Sequence, residues 1–410
     1  MTENTTTARV RFLSGQQLFL LSALFLGHTL MHCFQWGWYI ILPAVKASFG
    51  LSAVQYGAID STRAFAGGLT NFPAAVASDM FRKRWVAILT SGLIGLGLAY
   101  FLLGIAPNLA VVFLAAALVG ISTAIWHPPA LSTLSARVPE RVGLALSIHG
   151  MGGNLGNAIG PLGLGLAIGA LAWQSAAKVL AFPMVVLALV LWAVLRNSPG
   201  REGPTVDRKQ YLVAIRELLK NKVVLGLVLS QGIQNMGTSS TVAFFSLYCQ
   251  KDLGFSASKA GLYFAMLTAS GIVSQPLMGY LSDRIGRKAV VVPALFLLGG
   301  FTSLLVWAGA GVGLLLVAAC IGLFIYSKNA VIQAAAMDAT DERTGAMTIG
   351  LVFASAFLFS TPAPTIAGAL SNAYGTPSVF LYSGALMVLS AFIAWLLPME
   401  RPRRSAGSQE

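Results

Sequence analysis

Twelve long apolar stretches run along this chain, centred near residues 30, 66, 95, 120, 158, 186, 236, 270, 298, 324, 356 and 388. Each is bounded by charge, proline or a short polar turn. A bilayer core of roughly 30 Å needs about 20 apolar residues per helix, so the pattern predicts twelve transmembrane helices. The expected fold class is an all-α membrane protein with two six-helix bundles. A polar tail occupies residues 1–16, the first bundle 17–196, a basic linker 197–221, the second bundle 222–398 and a second tail 399–410. In the linker, Tyr211, Leu212, Ile215, Leu218 and Leu219 recur at helical spacing opposite Arg208, Arg216 and Lys220, which predicts an amphipathic helix on the inner membrane surface. The first stretch is too long for a cleavable signal and lacks an Ala-x-Ala site.

The two bundles read as copies. Gly279-Tyr-Leu-Ser-Asp283-Arg284-Ile-Gly286-Arg287-Lys288 has a decayed counterpart in Ala75-Val-Ala-Ser-Asp79-Met80-Phe-Arg82-Lys83-Arg84, and the aspartates lie 204 positions apart. The same offset aligns Leu51-Ser52 with Phe255-Ser256 and Gly57 with Gly261. A second echo pairs Pro139-Glu140-Arg141-Val-Gly143 with Asp341-Glu342-Arg343-Thr-Gly345, after the fourth and tenth stretches. Duplicated halves with short charged turns between apolar helices point to a transporter.

Composition agrees: the chain is 56% hydrophobic and 10% charged, where soluble domains carry about 25% charged residues. The net charge of +13 invites a nucleic-acid reading, which the positions of the charges oppose. Of the 27 Lys and Arg, Lys46, Lys178, Lys251 and Lys259 fall on one side and Arg63 and Lys328 inside helices; all the others share the side of the termini. That is the positive-inside asymmetry, and it places both termini in the cytoplasm of a plasma (inner) membrane protein. Cys33, Cys249 and Cys320 all fall in apolar stretches and give no disulfide framework.

On these residues the chain resembles a major facilitator superfamily transporter. Gly279–Lys288 matches that superfamily's signature loop, G-x-L-x-D-R-x-G-R-K, between helices eight and nine; the first-half copy departs at Ala75, Met80 and Arg82. Helix five carries Gly152-Gly153-Asn154 and Gly156-Asn-Ala-Ile-Gly160-Pro161, similar to a motif of proton-coupled antiporters. His28 through Gln35 to Pro43, Trp126-His127-Pro128 and Gly143 through Pro161 resemble the fosmidomycin-resistance-like efflux branch. His32 and Pro129 stand where that branch usually has acidic residues. The resemblance implies that helices one, four, seven and ten line a central cavity, placing His28, His32, His127 and Lys328 beside the cargo. It also implies that Asp79, Arg82, Asp283, Arg284 and Arg287, with Glu140, Arg141, Glu342 and Arg343, latch the cytoplasmic side, and that the protein is a monomer.

Ionisable groups in hydrocarbon cost about 2.5–3.5 kcal/mol each on insertion scales, so each needs a reason. His28 and His32 share one face of helix one, and a histidine near pKa ~6.5 exchanges protons at physiological pH. Asp60 and Arg63 lie three apart on helix two, which suggests a proton relay of Asp60 and His32 tuned by Arg63. The bland alternative is a neutralised structural pair. His28 and His32 also suit two ligands of a transition metal, with Asp60 or His127 as the third. Pro128 and Pro129 after His127 predict a hinge or local unwinding in helix four. His149 fits a structural or gating role. Gln35 and Trp36, with Gln231, Gln234, Asn235, Thr238 and Ser239 of helix seven, read as cavity lining; Trp38 and Tyr39 serve either the cavity or an interfacial belt.

No G-x-x-x-x-G-K-[ST] loop is present, so transport draws on a gradient and no cofactor is expected. The first reading is export of a small drug-like molecule or metabolite in exchange for protons. Its rivals are proton-coupled uptake of a small organic anion through Lys328 and Arg63, metal transport, and an intramembrane enzyme built on His28 and His32.

Overall fold

The computed structural model describes residues 13–197, 218, 220–340 and 345–399. Among these the regular elements are all helical. The first six passes are unbroken: α1 (Gly15–Ser48), α2 (Ala53–Met80), α3 (Trp85–Gly104), α4 (Leu109–Arg137), α5 (Val142–Ala170) and α6 (Trp173–Leu195). The second six are α7 (Lys222–Leu247), α8 with α9 (Ala257–Ala269, Gly271–Ile285), α10 (Arg287–Leu304), α11 with α12 (Val312–Ile325, Ser327–Asp338), α13 with α14 (Gly345–Ser360, Ala363–Tyr374), and α15 (Pro377–Leu396). The amphipathic helix expected within 197–221 lies almost wholly outside the described residues.

Three passes expected to be continuous are therefore broken. At Thr361 the cause is Pro362, which lacks an N–H and disfavours helical backbone in the residue before it. At Ser270 the side-chain hydroxyl enters the ladder of its own helix, reaching Met266 O at 3.3 Å as well as Ala319 O at 2.8 Å on the neighbouring helix, and side chains that enter the backbone ladder kink helices. At Tyr326 the Lys328 ammonium takes the Ile325 carbonyl at 2.7 Å. The opposite correction applies to helix four, because α4 runs straight through Pro128 and Pro129. The prolines deprive the Ala124 and Ile125 carbonyls of their backbone donors, yet the helix continues to Arg137. Proline is tolerated inside membrane helices because neighbouring helices and local backbone adjustment absorb the lost bonds.

The duplication is visible in backbone detail. Gly50 and Gly254, 204 apart, both adopt positive φ (60° and 66°), where glycine carries no Cβ penalty. Two residues later Ser52 and Ser256 each cap the next helix through the side-chain oxygen. The signature loops diverge for the same reason. Gly286 turns the second loop at φ 103°, whereas the first has Arg82 at that position and closes with a 3-10 turn, Arg82–Arg84.

Within the first bundle α1 lies along α5, α2 along α4, and α3 between α4 and α6; in the second, α15 lies between α7 and α10. Two seams join the bundles, α2 against α14 and α5 against α8. Both are densest at the end of the molecule away from the chain termini. A Cβ on Gly57 would strike Pro364 O, and one on Gly261 would strike Pro161 O. Gly368 sits on Ala53 O in the first seam, and Gly165 on Ala257 O in the second. One seam thus repeats the other at the duplication offset. Hydrogen bonds add to each: Ala53 N to Asn372 Oδ1 at 2.9 Å and Thr365 Oγ1 to Ser61 Oγ at 2.8 Å in one, Ser258 Oγ to Gly165 O at 3.0 Å and Thr268 Oγ1 to Asn157 O at 2.8 Å in the other. Toward the terminal end, Asn154 Nδ2 reaches Gln275 Oε1 at 3.4 Å.

Among the described residues, eight helical runs are long and apolar enough to cross a membrane on length and composition alone. Of the passes outside that set, α2, α5 and α8 with α9 build the seams, and α7 carries the Gln–Asn band.

Candidate functional site

The glycines of α5 set the site's geometry. Side chains at Gly156 and Gly160 would run into the α1 backbone at Thr29 and Cys33, and one at Gly153 would enter the His28 ring. Close approach of α5 to α1 brings His149 to His28 and His32, and α4, with Trp126 against Gly27 of α1, adds His127 to make four histidines from three helices. The His28 ring stacks on His149 with centroids 3.9 Å apart and meets His32 and His127 edge-on at 4.4 and 5.3 Å. His28 Nδ1 donates to His149 O at 2.7 Å, since a carbonyl oxygen only accepts, and His127 Nδ1 donates to Thr123 O. Both ε nitrogens are then bare in the neutral rings, yet they face each other at 3.3 Å. Two lone pairs at that distance repel unless a proton or a cation lies between them. His32 Nδ1 is tied to Asn157 Oδ1 at 2.6 Å, and its Nε2 is buried with no hydrogen bond among the described residues.

Asp60 and Arg63 form a separate unit. Asp60 is fully buried, and its Oδ1 accepts from Arg63 Nε at 2.6 Å. Arg63 Nη2 donates to Tyr39 Oη at 2.6 Å, with the guanidinium 5.2 Å from the Tyr39 ring centroid. Asp60 Oδ2 is buried with no hydrogen bond among the described residues. The relay expected between Asp60 and His32 is not a direct one: the described bonds of Asp60 run to Arg63 and those of His32 to Asn157. His32 lies instead beside His28 and His127, with ring centroids 4.4 and 5.8 Å away. Tyr39 and Trp38 are both buried, so neither belongs to an interfacial belt.

On the facing bundle, the α7 band and Lys328 are joined by Asn329, which sequence reading missed. Asn329 Oδ1 accepts from Gln231 Nε2 at 3.0 Å, Gln234 Nε2 at 3.3 Å and Lys328 Nζ at 3.2 Å. Lys328 is buried at 1% exposure, and the groups it is bonded to are neutral. Three buried polar atoms on the helices read as cavity lining have no hydrogen bond among the described residues: Gln35 Oε1 on α1, and Gln231 Oε1 and Asn235 Nδ2 on α7. Buried polar groups are ordinarily paired, so each such atom calls for water or a ligand. Trp36 links the two halves, with Tyr39, Phe264 and Tyr326 around it at centroid distances of 5.8, 6.1 and 5.8 Å. The 340 Å³ cavity lined by Leu30, Cys33, Phe34, Tyr100 and Leu180 is apolar and sits apart from these groups, between α1, α3, α5 and α6.

The signature loops are tied within their own bundles by the bonds described. Arg287 pairs with Asp283, donates to Ser282 Oγ at 2.8 Å and reaches Asp338 Oδ2 at 2.9 Å at the end of α12. Asp338 is a second residue that sequence reading missed. The Arg284 guanidinium lies 4.5 Å from the Tyr280 ring centroid, so it stacks on its own helix. In the first loop Arg82 Nε donates to Asp79 O at 2.9 Å. Glu140 and Arg141 form the 3-10 turn Pro139–Arg141; Glu342 and Arg343 lie outside the described residues.

The sequence model of the Major Facilitator Superfamily matches residues 24–274 and 227–410. The fosmidomycin resistance protein of Escherichia coli is 31% identical over 377 residues, covering 86% of this chain and 85% of the relative. The multidrug resistance protein MdtG of Escherichia coli is 24% identical over 339 residues, covering 78% and 81%. Among solved structures, a bacterial homologue of the human lysosomal transporter Spinster, inward-facing and occupied, superposes with a TM-score of 0.79 at 17% identity, covering 94% of this chain and 97% of that one. At that identity the likeness is one of fold.

Proposed function

Because the chain belongs to the major facilitator superfamily, and so is a multi-pass membrane transporter and not an enzyme, we propose that it exports a small drug-like molecule in exchange for protons. The observation that carries the reading is Asp60 Oδ2. A fully buried carboxylate holds Arg63 through Oδ1 and keeps its second oxygen free. A proton added at Oδ2 neutralises Asp60 without removing the Oδ1 acceptor, and leaves the Arg63 charge to Tyr39. The paired ε nitrogens of His28 and His127 hold a second proton, away from Asp60 and further along α1 toward its N-terminal end, with His32 next in line.

Cargo in this reading lies between α1 and α4 on one side and α7, α11 and α12 on the other. Gln35, Gln231, Gln234 and Asn235 supply hydrogen bonds and Trp36 an apolar face. The positive-inside bias places both termini in the cytoplasm of a bacterial plasma (inner) membrane, and each chain works as a monomer. The glycine seams then close the outer side, and the state described is inward-facing. Export requires the seams to part while the signature loops draw the cytoplasmic ends together. A second reading, an anionic cargo taken up with protons, is favoured by Lys328, whose described bonds leave its charge uncompensated.

Proton flux in proteoliposomes, followed with a pH-sensitive dye, tests the proposal. Candidate drugs should move protons through the wild-type protein and not through Asp60→Asn. Equal flux in the mutant would reduce the Asp60–Arg63 pair to a structural role.

A further inference from the structure

The histidine cluster does more than store a proton. We propose that His28, His32 and His127 form a binding site for one divalent transition-metal ion of the Zn²⁺, Co²⁺ and Ni²⁺ class. The three ligand nitrogens lie within 4.8 Å of one another. Tetrahedral Zn²⁺ holds imidazole nitrogens at about 2.0–2.1 Å, which sets neighbouring nitrogens about 3.3–3.4 Å apart. The His28 and His127 ε nitrogens already stand 3.3 Å apart, so that edge of the tetrahedron needs no movement, and His32 completes the face by swinging inward.

A second observation points the same way. Metal-bound histidines almost always donate their other ring N–H to a carbonyl or carboxylate, which fixes the tautomer and aims the lone pair. All three residues do so here: His28 to His149 O, His127 to Thr123 O and His32 to Asn157 Oδ1. The tautomers thus leave all three ε nitrogens bare, with those of His28 and His127 facing each other, and the repulsion between these two is what a cation relieves. Three neutral imidazoles suit Zn²⁺, Co²⁺, Ni²⁺ or Cu²⁺ and not Mg²⁺ or Ca²⁺, which take oxygen ligands. The fourth position is left to water or an anion, as in open three-ligand sites. All three ligands belong to one bundle, so the site persists as the bundles rock. The ion displaces the proton held by the same lone pairs and is expected to block transport.

The inference is independent of the export reading, because binding is measured on purified protein in detergent without a gradient. Full-length chain, freed of any polyhistidine tag and stripped by chelator, is titrated with Co²⁺ by visible absorption and with Zn²⁺ by calorimetry. One ion per chain with a tetrahedral Co²⁺ spectrum is expected. His127→Asn and His32→Asn should each weaken binding by more than about 100-fold, and Asn157→Ala, which removes an outer hydrogen bond, by about 10–100-fold. His149→Phe keeps the stacked ring and the backbone carbonyl and should leave affinity unchanged. X-ray absorption on Zn²⁺-loaded wild type needs no variant to fold, and should show imidazole scattering from three nitrogens. Absence of binding to wild type, a spectrum without imidazole, or His149→Phe as damaging as His127→Asn would overturn the proposal.

Discussion

Adding one methyl group at Gly57 should open the outer face of this protein. The Cβ of Gly57→Ala lands on Pro364 O, a backbone atom of the opposite bundle, so no rotamer change relieves the clash and the helices must separate. Overpacking of this kind costs about 1–3 kcal/mol. The clash exists only while the seam is closed, so the whole cost falls on one state. It lowers the closed-to-open ratio about 5- to 150-fold. Gly261→Ala makes the equivalent clash with Pro161 O on the second seam, and well-separated sites add. The double variant therefore approaches the ~5.5 kcal/mol that inverts a 99:1 equilibrium, which neither single reaches. Spin labels at Pro107→Cys and Ala310→Cys, on the loops before α4 and α11, read the separation in a background lacking Cys33, Cys249 and Cys320. The distance distribution should shift outward in each single variant and further in the double. Gly163→Ala is the control, because its Cβ meets nothing within 4 Å and alanine only strengthens the helix. An unchanged distribution in the double variant, or an equal shift in the control, would refute the assignment of these glycines to the seal.

Asp60→Asn should lower thermal stability by about 3–5 kcal/mol, because it strands the Arg63 charge; Asp60→Asn with Arg63→Gln should recover most of the stability and none of the proton coupling, as read by melting and flux. Tyr39→Phe removes one charge-assisted hydrogen bond to Arg63 and should cost about 1.5–3 kcal/mol in the same melt. Asp283→Asn should slow transport while leaving substrate affinity and stability within about 1 kcal/mol of wild type, since Arg287 keeps Asp338 and exposed pairs contribute little; a matching fall in affinity would move Asp283 to the cargo path. Lys328→Met should abolish transport of anionic compounds and spare neutral ones, and a uniform loss would instead make Lys328 a brace for the break at Tyr326.

The twelve passes, the duplication and the polar residues inside the membrane were all legible in the chain, because each is a one-dimensional pattern. An apolar run must be long enough to span, and a copied turn keeps its glycine and its serine cap, as Gly50-Leu51-Ser52 and Gly254-Phe255-Ser256 do. Periodicity could also say that His28 and His32 share a face. It could not say which helix faces them. His127 and His149 lie 99 and 121 positions along the chain from His28, and only helix packing brings the rings together: α5 on α1, drawn tight where Gly153, Gly156 and Gly160 lack side chains, delivers His149, and α4, with Trp126 against Gly27 of α1, delivers His127.

The remaining misreadings share that origin. Asn329 and Asp338 resemble any polar residue on a helix until a neighbouring helix supplies Gln231, Gln234 or Arg287 as a partner. Two adjacent prolines read as a hinge, yet α4 continues through both, because packing by neighbouring helices can hold a helix whose own ladder is interrupted. Sequence fixes what each face of a helix offers, because side-chain spacing follows from 3.6 residues per turn. Tertiary structure alone decides what that face meets, because the distance and register between two helices depend on both surfaces at once. For this protein, the sequence determined the two six-helix bundles and the stock of protonatable groups within them. The fold decided that four histidines would share one site, and that four glycines would close the seams beyond it.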